Sequence, residues 1–288
     1  MIPLYNRSIR AAALSALFAA VLFSAAAHAE DYAKSFTVGN RASVHVDTND
    51  GSVVVTTGDA KQVEFRVEYL GYEIDKSLHI ESSQQADEIN LTARIPNRWH
   101  FTLGVRRRLH IEVRMPKDGD LQVRTGDGSI KVSDLSGIVD LHTGDGSVSA
   151  NSVKGSIRLS TGDGAINGMD LDGKCEAVSG DGRIRLAGRF DAMRAKSGDG
   201  SIDVEARRGS KMESSWSLRS GDGSIEVALP SDLAADLEAT TGDGHITSDI
   251  PITVEGIISK SRVRGKMNGG GQELLIHTGD GSIRLRRS

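Results

Sequence analysis

The sequence predicts an all-β protein, a parallel β-solenoid (β-helix) of eighteen-residue rungs with an irregular, β-rich N-terminal cap. The first observation is a repeated phrase, [ST]-G-D-G, which opens at Thr125, Thr143, Thr161, Ser179 and Ser197, and again at Ser220, Thr241 and Thr278. Its aspartates are Asp127, Asp145, Asp163, Asp181, Asp199, Asp222, Asp243 and Asp280, separated by 18, 18, 18, 18, 23, 21 and 37 residues, so five copies keep one period. The second is a column three residues after each Asp that is always β-branched and apolar: Ile130, Val148, Ile166, Ile184, Ile202, Ile225, Ile246 and Ile283. The third is the residue two further on, again mostly apolar or small (Val132, Ala150, Gly168, Leu186, Val204, Val227, Leu285), with Ser248 the departure. A spacing of two is the alternation of a strand with one buried face, and β-branched residues suit that surface. A unit this small buries no core alone, but stacking units in register makes a continuous apolar column. At about 4.8 Å per rung, eight rungs make a rod about 40 Å long.

Taken from its start, the chain opens with Arg7 and Arg10, an apolar run from Ala11 to Ala27, and Ala27-His28-Ala29 before Glu30. This is the layout of a secretory signal peptide over residues 1–29. The apolar run is short for a membrane span and no later stretch is longer. The expectation is an exported protein, periplasmic or at the cell surface, that does not span the membrane after cleavage. Removing Arg7 and Arg10 with the leader leaves 33 basic against 39 acidic residues, a net charge of −6, which disfavours nucleic acid as a partner.

Residues 30–124 read as the cap. Val63, Phe65, Val67 and Tyr69 alternate with polar neighbours, as do Leu109, Ile111, Val113 and Met115, so both stretches are strands with one wet face. Thr48-Asn49-Asp50-Gly51-Ser52-Val53 is a degenerate copy of the repeat phrase, so the cap holds a first rung enlarged by inserted hairpins. It would cover the open end of the stack, whose unpaired edge groups invite aggregation. In the strict rungs, residues 125–196, Gly137, Gly155 and Gly173 mark a turn, followed by inward pairs Val139 and Leu141, Ile157 and Leu159, Cys175 and Ala177, Met193 and Ala195. The Thr or Ser of each phrase faces inward too, where a hydroxyl can bond the turn backbone and the hydroxyl of the next rung. Rungs lengthen over 197–288. Register with Asp120–Thr125 makes residues 235–241 a strand despite a helix-tolerant composition, Lys266–Gly271 reads as a hairpin tip, and Arg284, Arg286 and Arg287 as edge charges on the last rung.

Two groups of residues carry chemical potential. The turn aspartates repel one another by about 1 kcal/mol per neighbour in water. Three offsets are open: an Asx-turn onto the N–H two residues on, arginines such as Arg183, Arg185 and Arg284, or a calcium ion bridging Asp127, Asp145, Asp163, Asp181 and Asp199. The nine-residue calcium β-roll phrase is absent, so turn chemistry without a cofactor is the primary reading. A polysaccharide-active enzyme with two aspartates as acid and base is the alternative, against which stands an Asp repeated on every rung and an aromatic content of 4%. The second group is Arg98, Trp99, His100, Phe101, Arg106, Arg107 and Arg108, either a cap loop covering the first rung or a patch for an anionic glycan or envelope partner. The histidines have no metal-site spacing, Cys175 is a core thiol, and no P-loop or nucleophile signature occurs.

With these residues in view, the chain resembles the bacterial putative-adhesin β-strand-repeat family, a domain of unknown function. The resemblance rests on the leader, the P-x-x-x-x-L-x-V-x-T-G-D-G-S-I phrase at Pro116–Ile130, the [ST]-G-D-G rungs, and the G-G-G-Q-E-L-x-I-x-T-G-D-G-S-I-R-L phrase at Gly269–Leu285. It covers residues 36–287 and implies an exported, non-enzymatic β-solenoid with an envelope or extracellular partner, a glycan or a protein. Cytoskeletal β-helix scaffolds such as bactofilin resemble the rung length but lack a leader. Cleavage after Ala29 makes Glu30 the first residue of the exported protein, and intact-mass measurement on the exported fraction should find that species; persistence of residues 1–29 would overturn the leader.

Overall fold

The computed structural model describes residues 30–39, 41–96, 106–254 and 259–288, and every regular element in them is a strand. The N-terminal part contributes β1 (Glu30–Thr37), β2 (Ala42–Thr48), β3 (Ser52–Gly58), β4 (Gln62–Leu70), β5 (His79–Gln85), β6 (Glu88–Arg94) and β7 (Arg108–Pro116). The regular part follows with β8 (Gly119–Thr125), β9 (Ile130–Ser133), β10 (Ser136–Thr143), β11 (Val148–Asn151), β12 (Lys154–Thr161), β13 (Ile166–Ser179), β14 (Ile184–Ser197) and β15 (Ile202–Ala206). The C-terminal part holds β16 (Trp216–Ser220), β17 (Ile225–Leu229), β18 (Ala235–Thr241), β19 (Ile246–Ser248), β20 (Thr253–Val254), β21 (Arg262–Met267), β22 (Glu273–Thr278) and β23 (Ile283–Arg287).

In the regular part each strand lies parallel to the one a repeat later. Val139 pairs with Ile157, Ile157 with Cys175, Val148 with Ile166, and Ile166 with Ile184, each partner eighteen residues on. Two faces result, a wide one from the strands before each phrase and a narrow one from those after it, with the apolar columns between them. Ile130, Val148, Ile166, Ile184, Ile202, Ile225 and Ile283 are all at most 1% exposed, whereas Ile246 is only half-buried. Leu135, Val153 and Leu171 add a buried column at the corner opposite the phrase that the spacing alone does not announce. Among the described residues the indole Nε1 of Trp216, fully buried edge-on to Phe190, has no hydrogen-bond partner.

The stacking order departs from the chain order at both ends. At the first, β2 and β3 lie between β8–β9 on one side and β6–β7 on the other. Strands β6 and β7 therefore supply a further tier, which sequence reading took for plain cap strands because they lack the repeat phrase. Antiparallel strands finish this end: β5 on β6, and β4 then β1 on β7. At the other end β22 and β23, last in the sequence, slide between β16–β17 and β18–β19. Two expectations are thereby corrected. Arg284, Arg286 and Arg287 do not lie on an outer edge, since Ile283 pairs with both Ile225 and Ile246; Arg286 instead meets Glu226 at 2.6 Å. Lys266–Gly271 is not a hairpin tip, because β21 and β22 flank opposite sides of β18 and the connection passes over the start of that strand. Asn268 holds it there through Nδ2, which donates to the carbonyls of Ser231 and Leu233. Residues 235–241 are a strand, so paired backbone on both sides outweighs helix-tolerant composition.

The corner of the repeat explains its invariance. Thr143 is fully buried, and its hydroxyl donates to the Gly128 carbonyl of the tier before at 2.8 Å while accepting the Gly146 N–H at 3.3 Å. The glycines are needed for close approach rather than for a left-handed backbone: a Cβ on Gly146 would stand 2.1 Å from the Gly128 oxygen. Gly155, at φ 113°, does need the left-handed region. The expected hydroxyl-to-hydroxyl contact is replaced by this hydroxyl-to-carbonyl one. Thr143→Val keeps the shape but leaves two part-buried backbone groups without the hydroxyl, so urea unfolding should show a loss of about 1–3 kcal/mol, with Thr143→Ser within about 0.5 kcal/mol of the parent.

Candidate functional site

The turn aspartates project from this corner into solvent. Asp127, Asp145, Asp163, Asp181 and Asp199 are all exposed, as are Asp222, Asp243 and Asp280. Among the described residues none closes the expected Asx-turn; the N–H three residues past Thr143, Thr161, Ser179, Ser197, Ser220 and Thr241 is taken by that residue's own hydroxyl, as at Gly164 to Thr161 (3.1 Å) and Gly182 to Ser179 (3.0 Å). The expected arginine partners are committed elsewhere, Arg185 to Asp203 at 3.4 Å and Arg284 to Asp249 at 4.0 Å, and among the described residues Arg183 meets no carboxylate. Among the described residues no group of three or more His, Cys, Asp or Glu side chains is placed to hold a metal ion. Water therefore screens the ladder, which is why eight like charges can share one corner. No turn aspartate lines the hollow of about 600 Å³ over Phe65 and Val113, that of about 460 Å³ over Cys175 and Met193, or that of about 750 Å³ over Ile225 and Ile283.

Of the aromatic and basic cluster, Arg98, Trp99, His100 and Phe101 lie outside the described residues. Arg106, Arg107 and Arg108 are exposed, Arg108 opening β7 opposite Leu70. Arg107 stacks its guanidinium over the Tyr72 ring, 5.7 Å from the centroid, and burial raises the Tyr72 hydroxyl above its ordinary pKa. The only cysteine, Cys175, is buried on the inward face of β13, where burial pushes its thiol up to about 12; it stays protonated and unreactive.

Charged ladders on the wide face were missed by motif reading. His45 Nδ1 meets Gln122 Oε1 at 3.0 Å, and Gln122 approaches Asp140 at 3.5 Å. Arg158 donates to Glu176 at 3.1 Å, and Arg41 to Asp120 at 2.5 Å, which holds the Asp120 carboxyl below its usual range with help from the Ile138 N–H. The eighteen-residue offset between Arg158 and Glu176 was a readable signal. Arg41 and Asp120, separated by 79, gave none.

The model of one family, Toastrack DUF4097, matches residues 42–286, nearly the whole described chain. The chain belongs to the Toastrack DUF4097 family. Among solved structures it is similar to a "putative adhesin" of Parabacteroides merdae, at 14% identity over 89% of this chain and 96% of that one, with a TM-score of 0.49. A "putative lipid binding protein" of Parabacteroides distasonis is also 14% identical, over 88% and 96%, with a TM-score of 0.48. A "putative cell adhesion protein" of Clostridium sporogenes is 12% identical over 91% and 100%, with a TM-score of 0.32. No curated protein matches.

With the carboxylates apart and solvated, adding calcium or a chelator should leave the thermal midpoint unchanged. Asp145→Asn with Asp163→Asn should unfold at an equal or higher temperature than the parent at low salt, by up to about 1 kcal/mol. A calcium-dependent rise that this double variant abolishes would make the ladder a metal site.

Proposed function

We propose that this chain is a non-enzymatic binding or scaffolding protein of the bacterial cell envelope, exported by its leader, with residues 125–288 forming a parallel β-solenoid of eighteen-residue and longer rungs and residues 30–124 its cap. One observation carries the reading: the corner bond repeats at every phrase without interruption. Thr125 donates to Gly51, Thr161 to Gly146, Ser179 to Gly164, Ser197 to Gly182, Ser220 to Gly200, Thr278 to Gly223 and Thr241 to Gly281, all at 2.7–3.0 Å. A catalytic pair of carboxylates would need one tier shaped differently from its neighbours, with an acid and a base 6.5–9.5 Å apart for an inverting glycosidase or ~5–5.5 Å for a retaining one. Here each Asp sits in the same exposed setting as the next. A stack of this kind offers a long rigid face whose side chains are free to vary, which is how repeat proteins present binding surfaces.

The test is prolonged incubation of the purified protein with a panel of plant, bacterial and animal polysaccharides. No reducing ends should accumulate, while retardation in gels containing the same polysaccharides identifies the bound class. Time-dependent release of reducing ends that Asp145→Asn or Asp163→Asn abolishes would replace this reading with the glycosidase alternative.

A further inference from the structure

At the C-terminal end of the wide face, one outward column crosses β14, β16, β22, β18 and β21 at directly paired positions. Lys196 stands opposite Arg219, Arg219 opposite His277, His277 opposite Thr240, and Thr240 opposite Arg262. The adjacent column on this face carries Arg194, Ser217, Leu275, Glu238 and Arg264 in the same order. Five Lys and Arg side chains thus share the track with a single acid, Glu238. Lys196, Arg219, His277, Arg262 and Arg264 are exposed. Lys196, Arg219 and His277 form no ion pair among the described residues, and the links that exist are long: Arg262 to Glu238 at 4.0 Å, Arg194 to Glu176 at 3.9 Å.

Basic residues set directly opposite one another on neighbouring strands destabilise a sheet. Elsewhere on this face the stack places opposite or neutral partners together, as in Arg158 with Glu176, Arg41 with Asp120, and His45 with Gln122. Here Lys196 faces Arg219, and Arg219 in turn faces the imidazole of His277, with no acid in the column. The same residues surround a shallow hollow of about 310 Å³ whose lining sets Arg219, Arg262 and His277 against the single carboxylate of Glu238, with Thr240, Leu275 and Ile276 completing it. Acids stand on both sides: Asp236 and Glu273 in the column beyond, and Asp199, Asp222 and Asp280 on the neighbouring corner. They repel a polyanion and confine it to one track along the stacking axis, about 19 Å from Lys196 to Arg262.

We propose that the Lys196–Arg219–His277–Arg262 track binds a linear acidic polysaccharide, its carboxylates or sulfates meeting successive tiers and an apolar sugar face resting over Leu275. This deepens, and rests on, the reading of the chain as a binding protein. Nucleic acid is the disfavoured polyanion, because the hollow has no Phe, Tyr or Trp on which a base could stack and the chain's net charge is −4.

The experiment titrates the full chain with dextran sulfate and with polygalacturonate, using neutral dextran and oligothymidylate as controls. Lys196→Ser/Arg219→Ser/Arg262→Ser should bind either polyanion about tenfold more weakly than the parent. Lys131→Ser/Lys154→Ser/Lys211→Ser, with the same change in net charge at exposed sites off the track, should bind as the parent does. Both variants should melt no lower than the parent, which shows that the folded protein is compared. The proposal is overturned if neither polysaccharide binds, if the track variant binds undiminished, if the off-track variant loses as much, or if oligothymidylate binds more tightly than both polysaccharides. Any of these leaves the binding-protein reading standing, since that reading falls only to the polysaccharide turnover assay.

Discussion

The structure depends on one contact, the hydroxyl of a buried Thr or Ser reaching across to the glycine carbonyl of the adjacent tier. It does three things at once. It satisfies a carbonyl that has left the sheet ladder, it accepts an N–H of its own turn, and it locks one tier above the next at a fixed offset. Glycine on either side of the Asp is then obligatory, because the two turns approach so closely that a Cβ would collide with the carbonyl oxygen below. The apolar columns follow from this: once the corners stack, the residues after them are held in the same register from tier to tier, and their burial supplies the hydrophobic stabilisation.

The corner bond also reads out the true order of the tiers. Thr241 bonds Gly281 and Thr278 bonds Gly223, so the last phrase in the sequence is the next-to-last tier in space. The inserted pair β22–β23 is gripped by parallel partners on both sides. The β18–β19 tier pairs with the stack through it. The other end solves the same problem differently, adding β6–β7 outside β2–β3 and then finishing with antiparallel strands. Both arrangements cover edges that a simple stack would leave open.

With the interior committed to stacking, the outer faces carry whatever distinguishes this chain. The aspartate corner is uniform, solvated and, among the described residues, without ion-pair partners, whereas the wide face changes character along its length. It begins with cross-tier pairs of opposite charge and ends with Lys196 facing Arg219 and Arg219 facing His277. Such a gradient has no value for stability, since exposed pairs contribute little and opposed like charges cost a similar amount.

Where the chain repeats with a constant offset, the sequence by itself determined the structure: the inward columns, the buried hydroxyl, the glycine corner and the eighteen-residue pairing are all local patterns copied from tier to tier. The reason is that each tier meets only its neighbours, so periodicity in sequence is periodicity in space. What tertiary structure decided lies where that offset fails. Strands β6 and β7 join the stack without the phrase, Arg41 finds Asp120, and β22 slips beside β16, so that Arg219 comes to face His277 across 58 residues of chain. Those contacts depend on which long connection passes outside which strand. No spacing records that choice, and it fixes both the ends of the molecule and the charged track that only the folded order brings together.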